Sequence, residues 1–248
     1  MTALVPSAVE PFKRGRFGNP YIYQPVCTST QLLLEADIPE GAVAVAEHQT
    51  AGRGRLGRIW EDVPGSSILL SVMLHPPLGR MLPQLSLIGG IATARAIEAV
   101  TGLPTSIKWP NDVILDDRKV AGVLAEARDN AVVLGIGINV NETDEELPRT
   151  SGMPAGSLRT ATGTRFDRAP LLGALLAELE HAYDTWHENG LAHMRAELTR
   201  RDYLRGRLIA LDGKDTKALQ IAADGRLEVE SAPGDRRLVQ SGEIRLLT

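Results

Sequence analysis

The chain has 248 residues, 43% hydrophobic and 23% charged, with a net charge of −4; this suits one large soluble domain plus a small one and lacks the basic footprint of a duplex-nucleic-acid binder. Its one cysteine, Cys27, cannot form an internal disulfide and fits a reducing compartment. No apolar run reaches transmembrane length and Met1–Pro20 has no apolar signal region, so no membrane partner is expected and the cytoplasm is the expected location.

In chain order, Met1–Pro20 is rich in Pro, Gly and basic residues and reads as a loose N-terminal arm. Tyr21–Cys27 reads as a strand. Ser29-Thr30-Gln31 then precedes three leucines, so a hydroxyl residue at the start of a short helix is expected there. Those hydroxyls read either as caps or as holders of a polar ligand group. Ala42–Ala46 is a second strand-length run. It leads into Glu47–Gly57, where Gly52, Gly54 and Gly57 alternate with Arg53 and Arg55. Glycine allows close backbone approach, and arginine donors match phosphate or carboxylate oxygens. This loop reads as an anion holder, or else as a solvated turn between strands. Its spacing also fits G-x-G-x-x-G, but that pattern needs a helix next. Arg58–Ser67 contains Pro64-Gly65-Ser66-Ser67 and has no helical period, which sets an NAD-dependent oxidoreductase aside. No phosphate-binding P-loop is present.

Ser67–His75 reads as a strand with Ile68, Leu70, Val72 and Leu74 on one face, and Leu82–Val100 as a helix stopped by Gly102. Gly89-Gly90 inside it marks a close approach. A short strand in Ser106–Asp112 should end at Pro110. Lys108, Trp109, Asn111 and Asp112 crowd the strand end, read either as a solvated turn or as a site for a phosphate with a divalent cation. Val113–Leu115 and Lys119–Ala127 form a hairpin through Asp116-Asp117-Arg118. Lys119 reads as edge protection or as chemistry, and Gly122 as a close approach. In the apolar strand Ala131–Val140, Gly135 and Gly137 read as a bend or as the bed of a flat ligand whose polar edge Asn139 would bond. Asn141–Phe166 reads as loop. Pro170–Asn189 and Leu191–Leu204 read as helices. His181, His187 and His193 lack zinc-ligand spacing. From Gly206 on, five short strands punctuated by Asp212-Gly213, Asp224-Gly225 and Pro233-Gly234 describe a small β-barrel.

The ordered set Gly52-Arg53-Gly54-Arg55-Leu56-Gly57 with Trp60, Lys108-Trp109-Pro110-Asn111-Asp112, Lys119-Val120-Ala121-Gly122 and Gly135-Ile136-Gly137-Ile138-Asn139 resembles the biotin protein ligases. The resemblance runs from about Tyr21 to the C-terminus. It implies an α+β fold: a class II aminoacyl-tRNA synthetase-like mixed sheet with helices over residues 21–204, and an SH3-like β-barrel over 205–248. It implies ATP with Mg²⁺, biotin as substrate, no bound prosthetic group, and a biotin carboxyl carrier domain as partner. In that family biotin is activated as biotinyl-5′-AMP and passed to a lysine. By resemblance, Ser29, Thr30, Gln31, Gln49, Gly54, Gly122 and Leu124 bind biotin. Arg53, Arg55 and Lys119 are catalytic and also hold biotin. Arg55, Trp60, Lys108, Asn111 and Asn139 serve the nucleotide, with Trp60 on adenine, and Asp112 serves Mg²⁺. The family usually has Asn where Gln31 stands, which puts that position in question. The ligase-like part starts almost at once, so neither a DNA-binding domain nor nucleic acid as partner is expected. Homodimerisation stays open. Two rivals remain: a lipoate or octanoate ligase on the same fold, and a non-catalytic biotin or nucleotide sensor.

Overall fold

The computed structural model describes residues 2–77, 83–150, 152–232 and 234–247. The expectation of a loose arm over Met1–Pro20 is corrected. That segment contains a one-turn helix, α1 (Pro6–Val9), and a 3₁₀ turn (Glu10–Phe12), and its Leu4, Val9 and Phe17 are fully buried. Arg16 pairs with Glu180 at 3.1 Å and with Asp184 at 2.5 Å. The Pro/Gly-rich composition hid three apolar anchors.

β1 (Tyr21–Cys27) lies parallel to β2 (Val43–Gln49). The loop after β2 is itself a small hairpin of β3 (Gly52–Arg53) and β4 (Ile59–Trp60), closed through a 3₁₀ turn at Arg55–Gly57. β5 (Ile68–Leu74) follows. All seven of its residues are buried, because both its faces are covered. The helix expected from Leu82 is α2 (Gln84–Thr101); Leu82 itself lies outside the described residues. Gly102 ends it in the left-handed region at φ 70°.

β6 (Ser106–Lys108), β7 (Asp112–Leu115), β8 (Arg118–Arg128) and β9 (Ala131–Ile138) complete a seven-stranded mixed sheet, ordered β1-β2-β5-β9-β8-β7-β6. Only β1–β2 is parallel. The Asp116-Asp117 turn adopts positive φ, as Asp tolerates. α2 packs on one face: a Cβ at Gly89 would lie 2.8 Å from Val123, so this helix glycine brings helix and sheet together.

The stretch Asn141–Phe166 is not all loop, since α3 (Leu158–Thr162) is capped by the Ser157 hydroxyl. α4 (Arg168–Asn189) buries Leu171, Leu172, Leu175, Leu176, Leu179, Tyr183 and Trp186, the period read in the sequence. Leu191–Met194 is a 3₁₀ turn, followed by α5 (Arg195–Arg201).

β10 (Leu208–Leu211), β11 (Lys214–Ile221), β12 (Leu227–Ala232), β13 (Asp235–Val239) and β14 (Ile244–Leu246) form a five-stranded antiparallel sheet, ordered β13-β12-β11-β10-β14. The turns at Asp212-Gly213 and Asp224-Gly225 stand where expected; Pro233 of the third lies outside the described residues. This sheet shares the main hydrophobic core through Ile209, Leu211, Ala218, Ile221, Leu227 and Val229. Trp109 Nε1 donates to the Gly225 carbonyl at 2.9 Å, and Gln84 Nε2 to that of Asp224 at 2.8 Å. The C-terminal sheet is thereby bolted beside the strand end that carries Lys108. No helix among the described residues is long and apolar enough to cross a membrane.

Candidate active site

Strand parity decides which side chains meet. Gly137 stands opposite Gly122, and Gly135 stands opposite Ser71 and Leu124. Cross-strand partners share a face, so these residues line the sheet surface turned away from α2. Three glycines there leave a bare shelf. The register holds through both glycines of β9, so neither marks a bulge.

The shelf is covered by the chain's own side chains rather than left open for a flat ligand. A Cβ at Gly135 would lie 2.7 Å from Gln31 Nε2. One at Gly137 would lie 2.5 Å from Trp60 Cε2, and one at Gly122 3.0 Å from the same indole. The glycines admit a glutamine and a tryptophan delivered from far upstream.

A cavity of about 540 Å³ opens over this surface. Ser29, Thr30, Gln31 and Gln49 line it. Arg53, Gly54, Arg55 and Trp60 come from the hairpin loop, and Lys108, Asn111, Asp112, Lys119, Gly122, Leu124 and Asn139 from the sheet. Every residue given a binding or catalytic role by the resemblance therefore lines one cavity. Arg58, Arg149, Thr150 and the segment Gly242–Arg245 line it too and were missed. Arg149 and Thr150 sat in a stretch read as loop, Arg58 in one read only as non-helical, and Glu243–Arg245 in a strand read only for its β pattern.

Lys119 owes its aim to a β-bulge. The β7–β8 register shifts between Val113 and Ile114, so Val120 is buried in the core while both Lys119 and Gly122 face the cavity. A bulge re-aims a side chain in this way. Lys119 Nζ lies 2.7 Å from Asp112 Oδ1 and 5.7 Å from the Trp60 ring centre. Lys108 Nζ is 4.0 Å from Asp112 Oδ2. Burial pushes the Lys108 ammonium below its usual range; Asp112 opposes the shift, and Lys119, Arg58 and Arg55 add to it. Arg55 is likewise pushed down by burial, with Asp112 again opposing. One carboxylate thus stands among several cations, an arrangement that invites further negative charge. No group of three or more His, Cys, Asp or Glu residues able to hold a metal occurs among the described residues.

Several groups expected to meet a ligand hold the site together as well. Asn111 accepts from Arg55 at 3.3 Å and donates to the Val123 carbonyl at 2.9 Å. Asn139 is buried, with its Nδ2 donating to the Gly156 carbonyl at 2.9 Å. Arg53 pairs with Glu126 at 2.9 Å. Gln49 Oε1 accepts from the Thr30 amide at 2.8 Å, and the Thr30 hydroxyl meets that of Ser71 at 2.8 Å. Asp62, which the sequence did not flag, accepts from the Gln49 amide at 3.1 Å and holds His48 at 2.8 Å.

The expected hydroxyl cap is corrected. Ser29 sits before the 3₁₀ turn Thr30–Leu33, yet its side chain makes no capping bond. Among the described residues, the buried side-chain polar atoms without a partner are Ser29 Oγ, Gln31 Oε1, Trp60 Nε1 and Glu142 Oε2. The first three residues line the cavity. Buried polar groups are almost always satisfied, so this cluster of unpaired atoms makes the cavity a candidate ligand site.

Comparison with known proteins agrees with this geometry. The profile of the Biotin/lipoate A/B protein ligase family matches residues 23–142. The bifunctional ligase/repressor BirA of Bacillus spizizenii is 36% identical over 245 residues, 92% of this chain and 74% of that protein. The biotin--[acetyl-CoA-carboxylase] ligase of Mycobacterium tuberculosis is 34% identical over 220 residues, 84% and 80% of the two chains. The Aquifex aeolicus biotin protein ligase, solved in complex with biotin and ATP, is similar with a TM-score of 0.81 and 31% identity, covering 91% of this chain and 97% of that one. With two such relatives matched over most of their length, the chain belongs to the biotin/lipoate A/B protein ligase family.

Proposed function

We propose that the protein activates biotin with ATP as biotinyl-5′-AMP and transfers it to a lysine of a biotin carboxyl carrier domain. The observation that carries this reading is one cavity lined both by residues with unpaired buried polar atoms, Ser29, Gln31 and Trp60, and by the cations Arg53, Arg55, Lys108 and Lys119. The unpaired atoms would meet a neutral polar head, and the cations a carboxylate and a triphosphate.

A biotin carboxylate oxygen attacks the α-phosphorus of ATP, the bond to the bridging oxygen breaks, and diphosphate leaves. The carrier lysine, as free amine, then attacks the acyl carbonyl. The amide forms, AMP leaves, and the amine gives up its proton to solvent. Carboxylate and triphosphate repel each other. Lys119 and Arg53 would offset that repulsion, and fixing the two reactants side by side would supply much of the acceleration. Arg55, steadied by Asn111, would hold the phosphate and close the hairpin loop over the adenylate. Lys108 would take the departing diphosphate. Trp60, backed by Gly122 and Gly137, would offer its exposed side to adenine, with Asn139 at the purine edge. Gly122, Leu124 and Gly54 would shape the biotin slot. Mg²⁺ would arrive with ATP, since it favours one or two carboxylates plus phosphate oxygens, and Asp112 is such a carboxylate. The five C-terminal strands would form an SH3-like cap whose Gly242–Arg245 edge closes the nucleotide end. Residues 21–204 and 205–248 would then be catalytic and capping units of one cytoplasmic enzyme.

ATP–diphosphate exchange with Mg²⁺ tests the reading. Exchange driven by biotin alone is the expected result. Exchange driven by lipoate or octanoate would move the protein to the lipoyl branch, and biotin binding without exchange would make it a sensor.

Two further outcomes are expected. Arg55→Gly should release biotinyl-AMP at least ~10-fold faster in a rapid-dilution assay, the loss of one charge-assisted contact; release at the wild-type rate would remove Arg55 from loop closure. The alkaline limb of kcat/KM for ATP should fall below the ordinary lysine value of 10.5. Lys108 carries its charge below its lowered pKa and loses it above, so activity declines as pH rises through that value. Lys108→Arg should move the limb upward; an unchanged limb would assign it to another group.

A further inference from the structure

We propose that Asp62 is a positioning residue that clamps the base of the β3–β4 hairpin and sets how firmly that loop holds the activated acid. On the ligase reading above, the held species is biotinyl-5′-AMP.

The hairpin has little of its own to keep it in place. β3 pairs with β4 only through Gly52 with Trp60 and Arg53 with Ile59, and a two-stranded hairpin alone is marginal in water. Its entry is tied to the sheet by main-chain bonds. Thr50 donates to the Cys27 carbonyl at 2.9 Å, and Ala51 to that of Thr28 at 2.9 Å. Its exit is tied through a side chain. Asp62 follows closely on Trp60, and its carboxylate is 0% exposed. Oδ1 accepts from the Gln49 amide at 3.1 Å, and Oδ2 from His48 Nδ1 at 2.8 Å. Gln49 is the last residue of β2, so one carboxylate joins the end of the loop to its beginning. Beyond it, Gly65 donates to the Glu47 carbonyl at 3.0 Å and returns the chain to the sheet.

An ionised carboxylate away from water is costly unless its oxygens are bonded. Asp62 meets that condition at both oxygens. Since a carboxylate only accepts, the His48 proton stands on Nδ1 and Nε2 is left for solvent. The clamp reaches the site through closely packed backbone. A Cβ at Gly52 would lie 2.4 Å from the Trp60 carbonyl, so the entry and exit strands have no slack between them. On its other side the Trp60 indole rests on Gly122 and Gly137. A displacement at Asp62 is therefore passed to Trp60 and, through Gly52, to Arg53. Nearer the tip the contacts are wetter, for Arg53 meets Glu126 with 44% of its side chain exposed. Exposed ion pairs hold weakly. A dry bond at the base and a screened one near the tip make a loop that opens from its tip while Asp62 holds its root.

The test compares Asp62→Ala, which removes both bonds, with Asp62→Asn, which keeps an acceptor for the Gln49 amide. In the full chain, rapid-dilution release of biotinyl-AMP and tryptic cleavage after Arg53, Arg55 and Arg58 are followed. Asp62→Ala should release the adenylate, and be cut in the loop, about 10-fold faster than wild type, the loss of one charge-assisted bond. Cleavage elsewhere in the chain should not speed up in step. Asp62→Asn should restore most of both. Should Asp62→Ala not fold, His48→Ala removes one bond and leaves the carboxylate; it should speed loop cleavage about 3-fold. Unchanged loop cleavage in the folded variants, equal losses in Asp62→Asn and Asp62→Ala, or cleavage accelerated across the whole chain would overturn the clamp. A wild type that forms no biotinyl-AMP would overturn the ligase reading instead, and loop cleavage, which needs no catalysis, still decides the role of Asp62.

Discussion

Lys119→Ala is expected to slow single-turnover formation of the adenylate by at least about 30-fold, while the biotin dissociation constant changes far less. A charge-assisted hydrogen bond contributes on the order of 2 kcal/mol, and each 1.4 kcal/mol corresponds to about tenfold in rate. The Lys119 ammonium sits 2.7 Å from Asp112 and beside Trp60 in the cavity. On the proposed reading a charge there would act where carboxylate and α-phosphate meet, so its main effect would fall on the transition state rather than on either substrate alone. Lys119→Arg should restore little. The bulge that aims Lys119 positions a compact point charge, and the planar guanidinium has different reach and geometry. A near-normal single-turnover rate in Lys119→Ala would remove Lys119 from the chemistry. An equal loss in rate and in biotin affinity would mean that it binds ground and transition states alike.

Much of this arrangement is legible in the residues. The leucine spacing of Leu171–Leu179 placed α4, and the Asp-Gly turns placed the C-terminal strands, because local periodicity and positive-φ chemistry are written locally. The cavity lining was legible for a related reason: glycine, arginine and lysine in short ordered runs are expensive unless used. What escaped depends on partners distant in sequence. The N-terminal segment reads as loose because Pro, Gly and Arg dominate it, yet Leu4 and Phe17 are buried and Arg16 is held by α4. The shelf glycines were read as a bend or a ligand bed. Nothing within Ala131–Val140 states that Gln31 and Trp60, each at least 75 positions upstream, come to lie on them. The bulge at Val120 is equally silent, since a register shift belongs to a pair of strands and not to one. The expected barrel reads from spacing as a closed unit, whereas its pairings run linearly from β13 to β14 among the described residues.

Arg168→Met should give the largest loss of stability, about 3–5 kcal/mol, and with it a loosened entrance to the hairpin loop. The Arg168 side chain is 1% exposed and faces Glu47, whose Oε2 lies 2.7 Å from Nη2. It also donates to the Ser67 carbonyl at 2.8 Å and to that of Thr2 at 2.9 Å. Glu47 Oε1 in turn accepts from the Leu4 amide at 2.6 Å. One guanidinium therefore ties α4, the N-terminal segment, the start of β5 and the residue that opens Glu47–Gly57. Methionine would fill part of the volume but leave a half-buried carboxylate without its counter-charge and two carbonyls without donors. For a chain of this size the melting temperature should fall by about 6–20 °C. Arg168→Met/Glu47→Gln, which removes both charges, should recover more than half of the loss at neutral pH. If the double variant is no more stable than the single one, the guanidinium acts through the Ser67 and Thr2 carbonyls rather than through Glu47. The loop should report the difference. Glu47 precedes Gln49 by two residues, so an ion-pair role predicts weaker biotin binding in Arg168→Met and its return in the double variant.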